Sequence, residues 1–366
     1  MKIPDGHILS RDIIIASVRG GVISESNAAL LPLYLKRTGD VESWLRGRAI
    51  DSHRTNSRLL KKALRLSAAD DVETALKVHA ATITDNYWFR KNNSPFAYSD
   101  VRFKFNNFDK LALRGDPDSF NQPYSPTPEL TNIGSFEKCW TLSDGRWLMI
   151  KSGSGMERFS EIFICGLGRA LGFPMAEYYE ENGYVVSPDF TEGAAYNYEA
   201  AEGIVGDDED YAANFNAFYE ISPELAEQYM QIIYMDTLCF NMDRQTKNYG
   251  VLRDAETGAI KKMAPNYDNN IALFARGVPQ NIARTGDRLI ALFAELLERD
   301  GRALEIARRF PVPSRELIDS CAQKIPIPID GKTAGDLRDF IMNGSRLIQE
   351  RISGAAPELP KKSICK

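Results

Sequence analysis

The sequence predicts an α+β fold in which short strands precede a largely helical C-terminal half. Residues 130–150 and 184–188 alternate apolar and polar side chains, which is typical of strands. From residue 222 onward, apolar side chains recur with the period of an amphipathic helix. Strands that are followed by a run of helices indicate the α+β class.

The composition is that of an ordinary globular protein. The 366 residues are 43% hydrophobic and 26% charged, which leaves room for one large domain with an extension or for two to three small domains. The net charge of −5 argues against a protein whose main role is to coat nucleic acid. We therefore do not expect direct nucleic-acid binding.

The predicted compartment is the cytoplasm. The N-terminal MKIPDGHILSRD lacks the pattern of a signal peptide, and no apolar stretch approaches the length of a membrane span. The cysteines form no CxxC pair and are expected to be reduced thiols that mostly fill the core. They are Cys139, Cys165, Cys239, Cys321 and Cys365.

Histidine is too scarce for several classes of enzyme. His7, His53 and His79 all lie in the first quarter of the chain. A Ser-His-Asp or Cys-His hydrolase, or a histidine-rich zinc site, is therefore not expected in the later part. Each histidine is interpreted as a surface or packing residue, with a ligand role as the alternative.

Residues 1–95 are predicted to form a mostly helical extension that starts with a short strand and turn. Pro32 and Gly39 interrupt the first helical pattern, and Asn56 is expected to cap a helix in SRLLKKALRL. The basic face of that helix is interpreted as a solvated surface, with docking to nucleic acid or to an acidic partner as the alternative. It comprises Arg54, Arg58, Lys61, Lys62 and Arg65.

Residues 96–126 are predicted to form an aromatic-rich linker. Aromatic and basic side chains that alternate in this region can stack on single-stranded nucleic acid. Packing of the aromatic rings against the neighbouring domain is the favoured interpretation.

A loop that contains Gly134 and Ser135 is predicted between a strand and a hairpin that turns at Ser-Asp-Gly. Glycine lets backbone N–H groups approach phosphate oxygens without a Cβ clash, although a plain turn is the alternative interpretation. Lys151 ends the apolar strand WLMIK. It is either a solvated strand end or a phosphate ligand.

The remaining chain is predicted to be mainly helical. A helix in MERFSEIFICGLGRALGF and a strand in GYVVSPDF come first, and the acidic residues 193–222 are predicted to form a solvated loop. Ser222 and Pro223 start a helix that runs to Asn241. Further helices are predicted in TGDRLIALFAELLERDG, SRELIDSCAQKI and TAGDLRDFIMNGSRLIQERI, and residues 356–366 form a tail.

The segment DTLCFNMDRQTKNYGVLRDAETGAIKKMAPNYDNN contains the most informative spacing. Asp243 and Asn248 lie five positions apart, and Asp268 follows a predicted hairpin that turns at AETG. Phosphoryl transfer needs one carboxylate for the attacking hydroxyl and oxygen ligands for Mg²⁺. Asp and Asn also occupy turns for local hydrogen bonding, so the spacing alone leaves both interpretations open.

This segment resembles the catalytic and metal-binding loops of the HipA-like serine/threonine kinases. The family pattern is an Asp-Arg-His-x-x-Asn loop, an apolar strand and an (F/Y)-D element. In this sequence, the loop is Asp243 to Asn248, the strand is YGVL and the metal element is Tyr267-Asp268. Gln245 stands where the family usually has His.

The resemblance implies a two-lobed protein-kinase-like fold that is also compared with lipid kinases. The N-lobe would span residues 127–189 and the C-lobe residues 190–355. Asp243 would be the catalytic base, and Asp236 would anchor its loop. The other implied roles are magnesium binding by Asn248 and Asp268, phosphate binding by Lys151 with Glu161 and by the Gly134 loop, and adenine binding near Val186, Ser187 and Phe190.

The implied function is ATP- and Mg²⁺-dependent phosphorylation of a protein hydroxyl, with self-phosphorylation at Thr131 or at nearby Ser135. Some family members are toxins that are restrained by a DNA-binding antitoxin, so an antitoxin or regulatory partner belongs to the same expectation. The alternatives are a small-molecule or lipid kinase of the same fold and a non-catalytic nucleotide-binding module.

Overall fold

The protein has an α+β fold, as predicted, in a computed structural model that describes residues 3–52, 54–66 and 70–354. The chain divides into two compact units, and both are discontinuous in sequence. The strand unit comprises the residues up to Gly153, Glu177–Ile204 and Gly250–Ala264. The helical unit comprises Ser154–Ala176, Val205–Tyr249 and the residues from Pro265 onward.

The strand unit begins with an antiparallel sheet in the order β3-β2-β1-β4. Its strands are β1 (Gly6–Ser10), β2 (Ile13–Arg19), β3 (Val22–Glu25) and β4 (Tyr87–Lys91). Four short helices accompany it, α1 (Leu33–Thr38), α2 (Val41–Arg46), α3 (Ser57–Ala63) and α4 (Asp71–Lys77). The N-terminal region therefore contains a sheet as well as the helices that we expected.

Two expectations for α3 are wrong. Asn56 precedes the helix but its side chain makes no cap; it donates to the carbonyl oxygen of Ala112 instead. Arg54 is not part of a solvated basic face, because it is buried beside Glu129, with 3.7 Å between Nη2 and Oε2. An internal acidic partner is what makes burial of this guanidinium tolerable.

The second sheet follows two short helices, α5 (Tyr98–Val101) and α6 (Asp109–Arg114), and has the order β5-β6-β8-β7. Its strands are β5 (Lys138–Ser143), β6 (Arg146–Lys151), β7 (Tyr179–Glu181) and β8 (Tyr184–Pro188). The predicted hairpin is confirmed, with left-handed φ angles at Asp144 and Gly145. The prediction of a strand before Gly134 is wrong, since Pro128–Thr131 form a 3-10 turn.

A hydrophobic core joins the first and second sheets of the strand unit. Leu9 and Trp88, from the first sheet, belong to the same buried cluster as Leu130 and Trp140, which flank the Gly134 loop. The region predicted as an extension therefore shares its core with the loop. A third sheet has the order β11-β10-β9, from β9 (Tyr196–Ala200), β10 (Gly250–Asp254) and β11 (Ile260–Met263), and it confirms the predicted AETG hairpin.

The helical unit confirms the helices that we predicted from residue 154 onward. They are α7 (Gly155–Ala170), α10 (Pro223–Cys239), α11 (Arg288–Arg299), α13 (Arg315–Gln323) and α14 (Gly331–Gly354). Ser222 caps α10 by accepting the N–H of Leu225, and Pro223 occupies the first helical position. Helix α12 (Gly301–Ala307) was not predicted.

The prediction of a solvated loop at residues 193–222 is wrong. This stretch contains β9, a short helix α8 (Glu202–Val205) and a longer helix α9 (Tyr211–Ile221). The acidic run ends at Asp210, which caps α9 by accepting the N–H of Ala213. Apolar side chains of α9 that include Phe215 and Phe218 are buried, and their burial outweighs the polar composition around them.

His7 and His79 make packing or hydrogen-bond contacts, as predicted, and the described cysteines fill the core. His7 lies 3.2 Å from Ser17 Oγ through its Nδ1, and His79 packs edge-on against Trp88 and Phe96. Four cysteines are buried free thiols, whereas Cys365 and His53 lie outside the described residues. No helix in the described ranges is long and apolar enough to cross a bilayer.

Candidate functional site

The chain turns sharply between the end of helix α10 and the loop that contains Asp243. The helix ends at Cys239, and Phe240 adopts a left-handed conformation with φ 54°. Asn241 then donates its backbone N–H to the carbonyl oxygen of Asp236 at 2.8 Å, and its side chain accepts the N–H of Asp243 at 3.2 Å. The residue predicted as catalytic base is thus tied to the end of a buried helix.

Arg244 is the centre of the site in the helical unit. Its guanidinium forms a two-point ion pair with Asp236, at 2.8 Å and 2.9 Å, and both side chains are almost completely buried. Burial opposes the charge, but the Asp236 carboxylate outweighs it and raises the pKa of Arg244. The prediction that Asp236 anchors this loop is confirmed.

The same guanidinium holds the two ends of the predicted metal site. Arg244 Nη1 donates to the carbonyl oxygens of Asn248 and Tyr267, both at 2.7 Å. Its Nη2 donates to the side-chain oxygens of Asn266 and Asn269, both at 2.9 Å. One side chain therefore fixes the backbone at Asn248 and at the residue before Asp268.

Asp243 is half-buried, and its surroundings disfavour its negative charge. Burial raises the pKa of the Asp243 carboxyl, and the nearby Asp268 carboxylate raises it further. Three groups oppose the rise: Arg244, Arg276 and a hydrogen bond with the Gln245 side chain. Gln245 thus contacts the predicted base directly, in the position where the family usually has His.

Asn248 and Asp268 fit magnesium. The Asn248 amide nitrogen donates to the carbonyl oxygen of Asp243 at 2.9 Å, and among the described residues none donates to the amide oxygen. An amide oxygen and a carboxylate are ligands that Mg²⁺ accepts, together with water and phosphate. Within the described ranges, no group of three or more His, Cys, Asp or Glu could hold a metal ion, so a protein-only cage is not formed there.

The Gly134 loop lies in the strand unit and requires its glycine. Gly134 has φ 107°, and a Cβ placed on it would collide with Nζ of Lys138. The Lys138 ammonium group therefore lies close to the loop backbone at Gly134. Such an arrangement of backbone and cation suits an anion.

Lys138 is the residue that our sequence analysis missed. It is buried in β5 and pairs directly with Lys151, which is buried at the end of β6. Lys151 Nζ lies 5.4 Å from the centre of the Tyr178 ring. The two-residue turn at Asp144 and Gly145 sets this register, so counting back from the turn would have placed the two lysines opposite each other.

The two candidate phosphorylation sites differ in exposure. Thr131 is buried, and its hydroxyl lies 3.0 Å from the carbonyl oxygen of Ala81 and 3.1 Å from that of Pro128. Ser135 is exposed. Phosphate on Thr131 therefore requires the 3-10 turn to leave its place, whereas Ser135 is accessible as it stands.

The remaining candidates are distributed over both units. Val186 and Ser187 are buried in β8, and Phe190 follows that strand with its ring 5.8 Å from that of Tyr198. Glu161 is buried in α7, within the helical unit, whereas Lys151 belongs to the strand unit. The pairing of Glu161 with Lys151 stays a prediction.

Comparison with known proteins supports the fold. HipA, solved with HipB and operator DNA from the toxin–antitoxin system of Shewanella oneidensis MR-1, matches with a TM-score of 0.58 and 13% identity. The match covers 96% of this chain and 97% of that chain, so the chain has the fold of HipA. The Helicobacter pylori proinflammatory kinase CtkA matches with a TM-score of 0.45 and 18% identity, over 60% of this chain and 90% of that chain. No protein-family model and no curated protein matches the sequence.

Proposed function

We propose that the protein is a cytoplasmic serine/threonine protein kinase that uses ATP and Mg²⁺. The observation that carries this proposal is the Arg244 network, which holds Asp243, Asn248 and the residue before Asp268 in one framework. Phosphoryl transfer depends on positioning and charge. It therefore requires that the loop with the catalytic base and the residues that bind the metal are held in fixed positions relative to each other.

Each candidate residue has a separate role in phosphate transfer. Asn248 and Asp268 would hold Mg²⁺, which neutralises charge on the phosphates. Asp243 orients the acceptor hydroxyl. The hydroxyl oxygen bonds to the γ-phosphorus, the bond from that phosphorus to the bridging oxygen breaks, ADP leaves, and the hydroxyl proton moves to Asp243. Lys138, Lys151 and the Gly134 loop bind phosphate oxygens.

The test is transfer of radiolabelled phosphate from ATP into the proteins of a lysate, with and without Mg²⁺. Wild type is expected to label proteins, and Asp243→Asn is expected to lose at least about a hundredfold in rate, the contribution typical of a positioned base. Labelling of metabolites or lipids alone would indicate the small-molecule alternative. A nucleotide-dependent rise in melting temperature without any transfer would indicate a non-catalytic module.

Self-phosphorylation is part of the proposal and is tested by intact-mass analysis after incubation with ATP. Because Ser135 is exposed and Thr131 is buried, we expect Ser135→Ala to remove most of the added phosphate. Loss of the phosphate in Thr131→Val but not in Ser135→Ala would show that the 3-10 turn opens. No added mass in wild type would exclude self-phosphorylation under those conditions.

A restraining partner is proposed only because HipA has been solved with HipB and DNA. Co-purification of the full-length chain from its native host, with the Asp243→Asn variant as an inactive bait, tests for such a protein. Recovery of the bait alone would argue against a stable pair.

A further inference from the structure

A segment of the helical unit that no proposed role uses lies next to the Asp243 loop. This segment, residues 273–287, begins where Leu273 donates its N–H to the carbonyl oxygen of Cys239 at 2.9 Å. Cys239 is the last residue of α10 and stands four positions before Asp243. The segment therefore starts at the base of the Asp243 loop.

The far end of segment 273–287 is fastened to the same turn of α10. Arg284 is buried and donates to the carbonyl oxygens of Thr237 at 2.7 Å and Leu238 at 2.6 Å. Its guanidinium also pairs with Asp287 at 2.6 Å, and lies 4.6 Å from the centre of the Phe340 ring. With both ends fixed, the residues between them are held as a loop beside Asp243.

That loop presents one cation and apolar surface. Arg276 is exposed, and among the described residues none forms a hydrogen bond or an ion pair with it. Its charge nevertheless acts on Asp243, so the guanidinium stands within electrostatic reach of that carboxylate. Val278 is 42% exposed on the same loop, and Met242, which precedes Asp243, is 71% exposed.

We propose that Arg276 is a specificity residue that binds an acidic side chain close to the acceptor hydroxyl of a polypeptide substrate. This inference rests on the proposed kinase function and deepens it. A guanidinium without an internal partner matches a carboxylate in two-point geometry. Exposed Met242 and Val278 add apolar surface that a polypeptide substrate can contact.

The experiment compares matched serine peptides that carry Glu, Gln or Lys beside the serine, with radiolabelled ATP and Mg²⁺. We expect wild type to favour Glu over Lys by about fivefold in kcat/KM, since exposed ion pairs contribute modestly. Arg276→Glu should reverse the order. The preference should also shrink as salt is raised from low to physiological concentration, because exposed charges are screened.

The matched control is Arg351→Glu, which reverses an exposed charge in the last turn of α14. It should keep the wild-type order. Equal rates for all three peptides, or an unchanged order in Arg276→Glu, would overturn the role of Arg276 and leave the kinase assignment intact. No transfer to any peptide or lysate protein would overturn the kinase assignment and this inference with it.

Discussion

Asp243 is held in the folded protein under conditions that disfavour its charge. Burial and the neighbouring Asp268 carboxylate both raise the pKa of Asp243. We predict that Asp243→Asn lowers the rate of phosphate transfer by at least about a hundredfold and at the same time raises the melting temperature of the metal-free protein. A catalytic carboxylate whose charge destabilises the fold favours activity over stability, so its removal lowers the first and raises the second.

The sign of the stability effect follows from linkage. A carboxyl whose pKa is higher in the folded state than in the unfolded state destabilises the fold at pH values above the folded pKa. The rise in melting temperature caused by Asp243→Asn should therefore be largest near neutral pH. It should shrink as the pH falls through the pKa of Asp243 in the folded protein. Thermal melts from pH 4 to pH 8 measure it, and a lower melting temperature for the variant at pH 7 would contradict the prediction.

Glu129 is a second carboxylate with a raised pKa, in the strand unit. It is completely buried, and burial raises its pKa to about 7 against the opposing effect of Arg54. It accepts the N–H of Trp140 at 2.8 Å and the Asn106 amide at 2.9 Å. This side chain joins the turn before Gly134 to the start of β5.

We predict that wild type loses stability relative to Glu129→Gln as the pH rises from about 4.5 to 7. Below that window the Glu129 carboxyl is neutral in both states; above it, the buried charge must be maintained. The difference in melting temperature between the two proteins should therefore change across this window and level off on either side. A difference that does not vary with pH would exclude titration of Glu129.

At the residue scale, sequence and structure agree where a local motif carries the chemistry. The spacing of Asp243 and Asn248 and the hairpin before Asp268 were visible in the sequence, and the Arg244 network joins their backbones. Arg276 and the buried position of Arg54 were not predicted. Both depend on neighbours distant in sequence, Asp243 for the first and Glu129 for the second.

At the scale of elements, the Gly134 loop offers the sharpest test of phosphate binding. We predict that Gly134→Ala raises KM for ATP by about tenfold or more with little change in the acceptor KM. The new Cβ would meet the Lys138 ammonium group, and alanine is strained at φ 107°. Initial rates over a range of ATP concentrations measure the effect.

Gly145→Ala provides the control for Gly134→Ala. It also places a side chain at a positive φ, 75°, but nothing lies within 4 Å of the new Cβ. Backbone strain alone would therefore affect both variants, whereas displacement of Lys138 affects only Gly134→Ala. An equal rise in KM for ATP in both variants would contradict the role given to the loop.

Elements were predictable where periodicity or a turn signal was strong. Helices α7, α10 and α14 and the β5–β6 and β10–β11 hairpins match the predictions. The 3-10 turn at Pro128–Thr131 and helix α9 did not follow from local pattern. The first is fixed by Glu129, whose partners lie elsewhere in the chain, and the second begins at the end of an acidic run that suggested a solvated loop.

At the scale of the whole molecule, the N-terminal region is part of the strand unit rather than an appended module. Arg253 of β10 is buried and donates to the carbonyl oxygens of Ala29 at 2.7 Å and Leu31 at 3.1 Å. It also pairs with Glu199 of β9, which accepts the hydroxyl of Tyr87 at 2.8 Å. No local pattern could predict these contacts, because more than a hundred positions separate Tyr87 from Glu199 and Arg253.

We therefore predict that a chain that starts at residue 96 does not fold, although it contains every proposed catalytic residue. It would leave Arg253 without its N-terminal partners and would expose the core that Leu130 and Trp140 share with Trp88. It would also remove Arg54, the buried ion-pair partner of Glu129. Breaking a buried ion pair costs about 3–5 kcal/mol, which is a large part of the 5–15 kcal/mol that stabilises a typical protein. Circular dichroism and a thermal melt test this prediction, and a cooperative transition in the truncated chain would refute it.

Glu199→Ala isolates the ion-pair contribution in the full-length chain. It should cost about 3–5 kcal/mol of unfolding free energy, because it leaves the buried Arg253 charge without its acidic partner. Glu256→Ala is the matched control: it removes an exposed pair with Arg11 and should cost less than about 1 kcal/mol. Urea unfolding measures both, and similar losses would mean that Arg253 and Glu199 do not fasten the N-terminal region to the third sheet.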